Sequence, residues 1–143
     1  MNVRTSTRFR RERAAVPSAR AFVRHALRSV GARSDIVDRL VLAVAEACNN
    51  AILHAGGSTF TVSVVVERAR ALVAVSDEGT GFVPPDEPVM PSPHATGHRG
   101  LAMMNALVDQ LDVTSGDRGT TVVLVQSLVP EGAPLAAPVA AER

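Results

Sequence analysis

The sequence predicts an α/β two-layer sandwich, in which a mixed, mostly antiparallel sheet carries its helices on one face. Three observations predict this fold: two helical apolar segments come first, two pairs of adjacent β-branched segments follow, and a third helical segment lies between the pairs. Adjacent strands close as antiparallel hairpins, so the helices are left to cover one face of the sheet. With 143 residues, 46% of them hydrophobic, the chain is long enough for one domain with a sizeable core.

The N-terminal residues 1–14 are expected to form an arm or an edge strand, because Thr5, Thr7 and Phe9 alternate with polar residues. Five arginines lie in residues 1–13. They favour a solvated face over a nucleic-acid contact, since the whole chain carries a formal net charge of only +1.

The central helix is predicted to begin at a cap on Ser34 or Asp35 and to end at residues 55–57. Its residues 40–54 are apolar nearly all round and contain neither Gly nor Pro, which is typical of a buried helix. Within it, Glu46, Asn50 and His54 are four residues apart, so they line up on one face. Because an unpaired buried charge costs on the order of several kcal/mol, this face is expected to border a polar cleft. The alternative is a structural role in which Glu46 pairs with an arginine.

The remaining elements follow from the same periodicities. They are a helix from Pro17 to about Ser29, strands over residues 58–67, 71–76, 112–115 and 120–128, turns over 68–70 and 116–119, and a helix over 100–111. Residues 83–98 hold five prolines without periodicity, and so long a loop in a compact domain is usually functional. Residues 129–143 form a Pro- and Ala-rich tail that we expect to be disordered, which leaves one domain over residues 15–128.

Composition narrows the function classes. The near-neutral charge indicates neither a nucleic acid nor a membrane surface as partner. The single cysteine, Cys48, cannot form an intrachain disulfide, which fits a reducing cytoplasm. No apolar segment reaches the length of about 18 residues that indicates a membrane span, and the N-terminus lacks the apolar core of a secretory signal.

One candidate motif, Asp77-x-Gly79-x-Gly81, directly follows a predicted strand. The glycines would let the backbone approach a flat ligand, and the carboxylate would accept a hydrogen bond from an amino group such as that of adenine. The motif alone also fits an ordinary turn. Thr120 and Thr121 begin the last strand. Either a threonine hydroxyl reaches the edge of an adenine there, or the threonines are present only because threonine favours strands.

A second candidate motif, Gly97-His98-Arg99-Gly100-Leu101, lies where the long loop enters the third helix. The free amides and the positive dipole end of a helix suit a phosphate group, and Arg99 would add charge. An ordinary helix start with a solvated arginine is the alternative.

Taken together and in this order, the motifs resemble those of the GHKL (Bergerat-fold) ATPases, and within them the small stand-alone anti-sigma factor serine kinases of bacteria. The resemblance covers about residues 15–128. The segments that carry it most closely are Glu46-Ala47-Cys48-Asn49-Asn50-Ala51, followed by His54, and Arg99-Gly100-Leu101-Ala102-Met103-Met104.

The resemblance implies a Bergerat-fold serine/threonine protein kinase that uses ATP and Mg²⁺ in the cytoplasm. Such a protein phosphorylates an anti-anti-sigma antagonist and holds a sigma factor inactive, and homodimers are common in this class. Carried over residue by residue, the resemblance implies that Glu46 is the general base and that Asn50 coordinates Mg²⁺. The resemblance also implies contacts with the adenine: Asp77 to its amine, Gly79 and Gly81 around the base, and Thr120, rather than Thr121, nearby. It implies that residues 83–98 form a lid over the phosphates, with Gly97, Arg99, Gly100 and Leu101 as the contacts beside it.

Other interpretations accompany this one. The fold would also serve a non-catalytic nucleotide-binding module that sequesters a partner. His25 lies in a segment that faintly resembles the phosphoacceptor box of histidine kinases, but the acid and the proline that should follow are missing. His94 and His98 would supply only two ligands to a zinc ion. Asn49 beside Asn50 leaves two amides for the metal, and the four-residue spacing from Glu46 favours Asn50.

Overall fold

The computed structural model describes residues 2–54, 57–77, 98–116 and 119–129. Its elements are β1 (Val3–Arg10), α1 (Ala15–Ser29), α2 (Ser34–His54), β2 (Thr59–Glu67), β3 (Arg70–Asp77), α3 (His98–Leu107), β4 (Gln110–Gly116) and β5 (Gly119–Ser127). The strands form one sheet in the order β1-β2-β3-β5-β4, and each of these pairs is antiparallel. The predicted sandwich with a mostly antiparallel sheet is therefore confirmed.

The core lies between one face of the sheet and the three helices. Strand residues alternate between this inner face and the opposite one, and buried side chains of β2, β3 and β5 face the helices. The central helix α2 lies between α1 and α3 and packs across β3 and β5. Its buried side chains include Leu40, Val44 and Cys48, each 0% exposed, so the apolar segment of the sequence is a buried helix as predicted.

The N-terminal segment forms the edge strand β1, paired with β2 along its length. Phe9 explains why it docks there: its ring stacks on Phe60 with centroids 5.7 Å apart and meets Phe22 of α1 edge-on at 6.3 Å. The alternating arginines of β1 are exposed on the opposite side, and β1 lies at the edge of the sheet.

Two boundaries differ from the sequence-based predictions. Helix α1 begins at Ala15, so Pro17 lies inside its first turn. Helix α3 ends at Leu107, and Leu111, which was predicted to continue it, belongs to β4 and pairs with Leu124. The apolar spacing around Leu111 satisfies both periods, and pairing with β5 decides between them. Of the predicted long loop and tail, only His98 and Val129 belong to the described residues.

The β2–β3 hairpin closes where it was predicted to, through Arg68 and Ala69, whose φ angles are 53° and 59°. Two consecutive residues with positive φ match the right-handed twist of the strands that they connect. Among the described helices, none combines the length and the hydropathy that a membrane crossing needs.

Candidate functional site

Helix α2 presents a carboxylate and an amide one turn apart. Glu46 is half-buried, and Asn50 is only 8% exposed. The Nδ2 group of Asn50 is buried without a hydrogen-bond partner, a state that costs on the order of 1–3 kcal/mol unless another group satisfies it. Among the described side chains, Glu46 has no arginine partner, so the structural alternative of a buried ion pair finds no support there.

The first turn of α3 lies directly over this pair. A Cβ atom built on Gly100 would be 3.5 Å from Oδ1 of Asn50 and 3.6 Å from Oε1 of Glu46. Glycine therefore leaves the space of one methyl group open beside both oxygens. We call this space, between α2 and the start of α3, the acid–amide crevice. The positive end of the α3 dipole is at its rim, which favours an anionic ligand.

Leu101, the neighbour of Gly100, is 0% exposed and belongs to the hydrophobic core. Its side chain anchors the first turn of α3 against the core and thereby holds Gly100 over α2. The predicted contact of Leu101 with a nucleotide stays a prediction.

A second group of polar residues lies at the end of the sheet. Oδ1 of Asp77, the last residue of β3, accepts a hydrogen bond from the backbone N–H of Thr120 at 3.2 Å. The hydroxyl of Thr120 is 3.1 Å from that of Ser115 on β4. These contacts link the ends of three neighbouring strands, so the orientation of the Asp77 carboxylate depends on β4 and β5.

The strand register also distinguishes the two threonines. Thr120 is 5% exposed and shares the inner face with Val122 and Leu124. Thr121 points to the opposite face, where its hydroxyl is 3.0 Å from that of Ser76. Of the two candidates, Thr120 is thus the one on the helix side of the sheet, beside Asp77.

The chain connectivity brings the two groups to one end of the domain. Helix α2 ends at His54 and β2 begins at Thr59, so these two ends are at most about 18 Å apart, the extended length of five residue steps. Phe60 at the start of β2 pairs with Asp77 at the end of β3. The C-terminal half of α2 and the Asp77 end of the sheet therefore lie on the same side.

Arg11 secures this connection. Its Nε donates a hydrogen bond to the carbonyl of Gly57 at 2.7 Å, and its Nη1 donates to the carbonyl of Ile52 at 2.8 Å. A cation at the C-terminal end of a helix satisfies carbonyls that have no partner within the helix and complements its dipole. Arg11 thus holds the last turn of the helix that carries Asn50.

Sequence reasoning missed Arg11 and Ser115. Arg11 is one arginine in an arginine-rich segment, and Ser115 is one polar residue in an alternating strand. No local signal distinguishes either residue. The partners of Arg11 are 41 and 46 residues away in the sequence, and the partner of Ser115 lies on another strand.

Several residues with predicted roles lie outside the part of the chain that the structure describes. Gly79, Gly81 and Gly97 are outside the described ranges, as are the side chains of His54 and Arg99. Their predicted roles stay predictions. The backbone of Arg99 belongs to the first turn of α3.

Among the described residues, Cys48 offers no reactive thiol, and no metal-binding cluster is present. Burial raises the pKa of the Cys48 thiol from 9.0 to about 12, so the thiol is protonated at neutral pH and is a poor nucleophile. Within the described residues, no three His, Cys, Asp or Glu side chains converge as a metal-binding cluster. Of the predicted zinc pair, His94 lies outside those residues.

Solved structures share this fold. A chain with the RsbU and RsbW domains of Rv1364c from Mycobacterium tuberculosis has a TM-score of 0.68 at 22% identity, over 87% of this chain and 32% of that one. The histidine kinase domain of the EL346 blue-light activated histidine kinase from Erythrobacter litoralis has a TM-score of 0.51 at 25% identity, over 81% and 60%. A second chain of that kinase gives 0.55 at 21% identity, over 80% and 41%.

This chain spans less than two thirds of each of these three chains. No curated protein matches it significantly in sequence. Residues 9–126 match the histidine kinase-like ATPase domain, a stretch that runs from the end of β1 into β5 and contains every element between them. The chain therefore belongs to the histidine kinase-like ATPase domain family.

Proposed function

We propose that this chain is an ATP-dependent serine/threonine protein kinase that acts as an anti-sigma factor. It would sequester a sigma factor and phosphorylate an anti-anti-sigma antagonist that competes for this binding. The observation that carries the proposal is the pairing of a half-buried carboxylate, Glu46, with the amide of Asn50 beneath Gly100. Family membership supports the use of ATP, and the resemblance of the motifs to anti-sigma factor kinases supports the partner classes.

The polar groups beside the acid–amide crevice suit a magnesium-bound triphosphate at its rim. Asn50 offers a hard amide oxygen, and its unpartnered Nδ2 offers a hydrogen bond that a phosphate oxygen can accept. The missing side chain at Gly100 leaves the space beside it open. Mg²⁺, when bound there through Asn50, would neutralise part of the triphosphate charge.

Glu46 serves as the general base in this proposal. Its carboxylate takes the proton of a serine or threonine hydroxyl as the hydroxyl oxygen forms a bond to the γ-phosphorus. The bond from the γ-phosphorus to the bridging oxygen of the β-phosphate breaks, and ADP leaves with that electron pair. Glu46 is suited to this role because it is half-exposed, and because no described arginine occupies its carboxylate.

Asp77 serves as the adenine reader. A carboxylate has about four acceptor positions, so Asp77 can accept the Thr120 N–H and still accept a hydrogen bond from the adenine amine. The bond from Thr120 orients the carboxylate before the nucleotide arrives, which reduces the entropy that binding must overcome.

Two substitutions test the proposal in the full chain, with labelled ATP and a cognate antagonist. We expect Glu46→Gln to bind ATP with unchanged affinity and to lose phosphoryl transfer by at least about 100-fold, within the range of general-base catalysis. We expect Asn50→Ala to lose Mg-ATP binding in calorimetry by at least about tenfold.

Asn49→Ala is the matched control, because Asn49 is an exposed amide on the next position of the same helix. It should leave ATP affinity and transfer unchanged. Full transfer by Glu46→Gln would refute the base assignment. ATP binding with no transfer by the wild-type chain to any cognate antagonist would instead favour the non-catalytic sequestering module.

A further inference from the structure

A cavity of about 650 Å³ lies at the end of the domain opposite to the acid–amide crevice. Its wall comes from the first two turns of α2, the link between α3 and β4, and the end of β5. The crevice instead uses the C-terminal half of α2, where Glu46 lies ten residues, or about 15 Å, farther along the helix than Ile36 in the cavity wall. The volume is within the range of about 300–1,000 Å³ that is typical of small-molecule sites.

Gln126 is the buried polar residue of this cavity. It is 5% exposed and lies at the end of β5, on the same inner face as Leu124. Its Nε2 donates a hydrogen bond to the carbonyl of Ser127 at 3.0 Å, and its Oε1 has no partner among the described residues. Because the Ser127 carbonyl can only accept, the amide group cannot be reversed to pair the oxygen instead. A buried acceptor without a partner is unfavourable, so a ligand that donates to it gains affinity there.

Asp109 holds a carboxylate beside this amide. Its Oδ2 accepts a hydrogen bond from the N–H of Ser127 at 2.9 Å, so the two backbone groups of one residue orient both side chains. This is possible because β4 begins at Gln110, which pairs with Val125, and Ser127 lies beyond the end of β4. A carboxylate has about four acceptor positions, so Asp109 can accept further hydrogen bonds. The carboxylate and the amide oxygen together suit an ammonium group, which has three N–H donors.

Arg39 supplies the opposite charge from α2. It is exposed, and the one hydrogen bond that its guanidinium donates to the described residues runs from Nη2 to the carbonyl of Leu107 at 3.3 Å. The other two charged residues of the wall, Arg33 and Asp35, pair with each other through hydrogen bonds of 3.0 and 3.2 Å. The cavity therefore has no net formal charge, and one cation and one anion remain to bind a ligand.

We propose that this cavity binds a free α-amino acid. The ammonium group donates to Oε1 of Gln126 and to the carboxylate of Asp109, and the ligand carboxylate accepts from Arg39. A zwitterion matches the two remaining charges, whereas a polyanion such as a nucleotide would also meet the carboxylates of the wall. Ile36 and Val129 are the apolar residues of the wall, so the site favours an aliphatic side chain. The proposal does not rest on the proposed function, since no residue of this wall borders the acid–amide crevice.

Thermal unfolding of the full chain, with each standard L-amino acid added separately at about 10 mM, tests the proposal. We expect at least one aliphatic amino acid to bind with a Kd of about 1 mM or lower in calorimetry, which corresponds to a rise in Tm of at least about 3 °C. Two analogues of that amino acid are the matched ligands: the amine that lacks the carboxylate and the acid that lacks the ammonium group. Each should bind at least about tenfold more weakly, because each leaves one charge of the cavity unpaired.

Substitutions in the wall locate the site. Gln126→Leu removes the unpartnered oxygen, and Asp109→Asn removes the charge but keeps an acceptor for Ser127. Each should raise the Kd of the amino acid at least about tenfold. Asp112→Asn is the matched control, because Asp112 is an exposed carboxylate on β4 outside the cavity, and it should bind like the wild type. Circular dichroism and the Tm without ligand check that each variant is folded.

Three results would overturn the proposal. The first is a wild-type chain whose Tm no amino acid raises, which would mean that water alone fills the cavity. The second is binding that neither Gln126→Leu nor Asp109→Asn weakens. The third is an amine or an acid analogue that binds as tightly as the amino acid. None of these measurements contains ATP, so their outcome is separate from that of the phosphoryl-transfer assay.

Discussion

Gly100→Ala should separate the stability of this protein from its ability to bind ATP. The added methyl group would lie 3.5 Å from Oδ1 of Asn50 and 3.6 Å from Oε1 of Glu46. Both distances are ordinary van der Waals contacts, so α2 and α3 need not move apart. The methyl group would nevertheless fill the acid–amide crevice and separate Asn50 and Glu46 from the triphosphate that we propose to bind at its rim.

The two expected effects have opposite signs. Alanine is a better helix former than glycine by up to about 1 kcal/mol, and Gly100 lies in the first turn of α3, so the free energy of unfolding should rise by about 0 to 1 kcal/mol. ATP would lose contact with two polar groups that the methyl shields. We expect its Kd to rise at least about tenfold, which corresponds to about 1.4 kcal/mol.

Urea unfolding and ATP calorimetry on the same preparation measure both quantities. Gly31→Ala is the control, with the opposite expected effect on stability and none on ATP binding. Gly31 has φ +77°, and nothing lies within 4 Å of an added Cβ. Alanine at this position is strained by about 1–2 kcal/mol, because its backbone is in the left-handed region. The position lies in the turn between α1 and α2, outside the acid–amide crevice. The control should therefore lower stability and leave the Kd unchanged.

If Gly100→Ala binds ATP as tightly as the wild type, the triphosphate does not bind beside Gly100. If Gly100→Ala unfolds markedly more easily than the wild type, the contacts of the added methyl group are tighter than the distances in the structure.

Three further outcomes follow from the structure. Burial raises the pKa of Cys48 from 9.0 to about 12, and the chain has no Lys or Tyr that would titrate in the same range. Because the thiol of the unfolded chain ionises first, the free energy of unfolding should fall by about 1 kcal/mol from pH 8 to pH 10. Urea titrations should show that Cys48→Ala abolishes this pH dependence. Arg11→Ala should lower the free energy of unfolding by about 1 kcal/mol through the lost carbonyl bonds, whereas Arg13→Ala, whose side chain has no polar contact in the described part of the chain, should not. Thr120→Val should weaken ATP binding several-fold in calorimetry and Thr121→Val should not, since only Thr120 faces the helices.

Local periodicity explains why much of the fold was predictable. Period-two alternation identified β2 and β3, and the hairpin between them closes at Arg68 and Ala69 as expected. The four-residue spacing of Glu46 and Asn50 predicted that they share one face of α2, because a helix repeats every 3.6 residues. The predicted boundary between α3 and β4 was wrong, because the apolar spacing around Leu111 suits a helix and a strand equally.

Contacts between distant segments were not predictable in the same way. The bond from Thr120 to Asp77 joins residues 43 positions apart, and it exists only because β5 inserts next to β3 and leaves β4 at the edge. Neither hairpin alone specifies that order.

The sequence by itself determined the elements, the buried central helix and the acid–amide pair on one face of it, because these depend on short-range spacing. Only the tertiary structure decided that Gly100 lies over this pair, that Thr120 rather than Thr121 faces the helices, and that one face of the sheet stays uncovered by the described elements. Those features depend on how whole elements pack, where many weak contacts are satisfied at once, and no single segment carries that information.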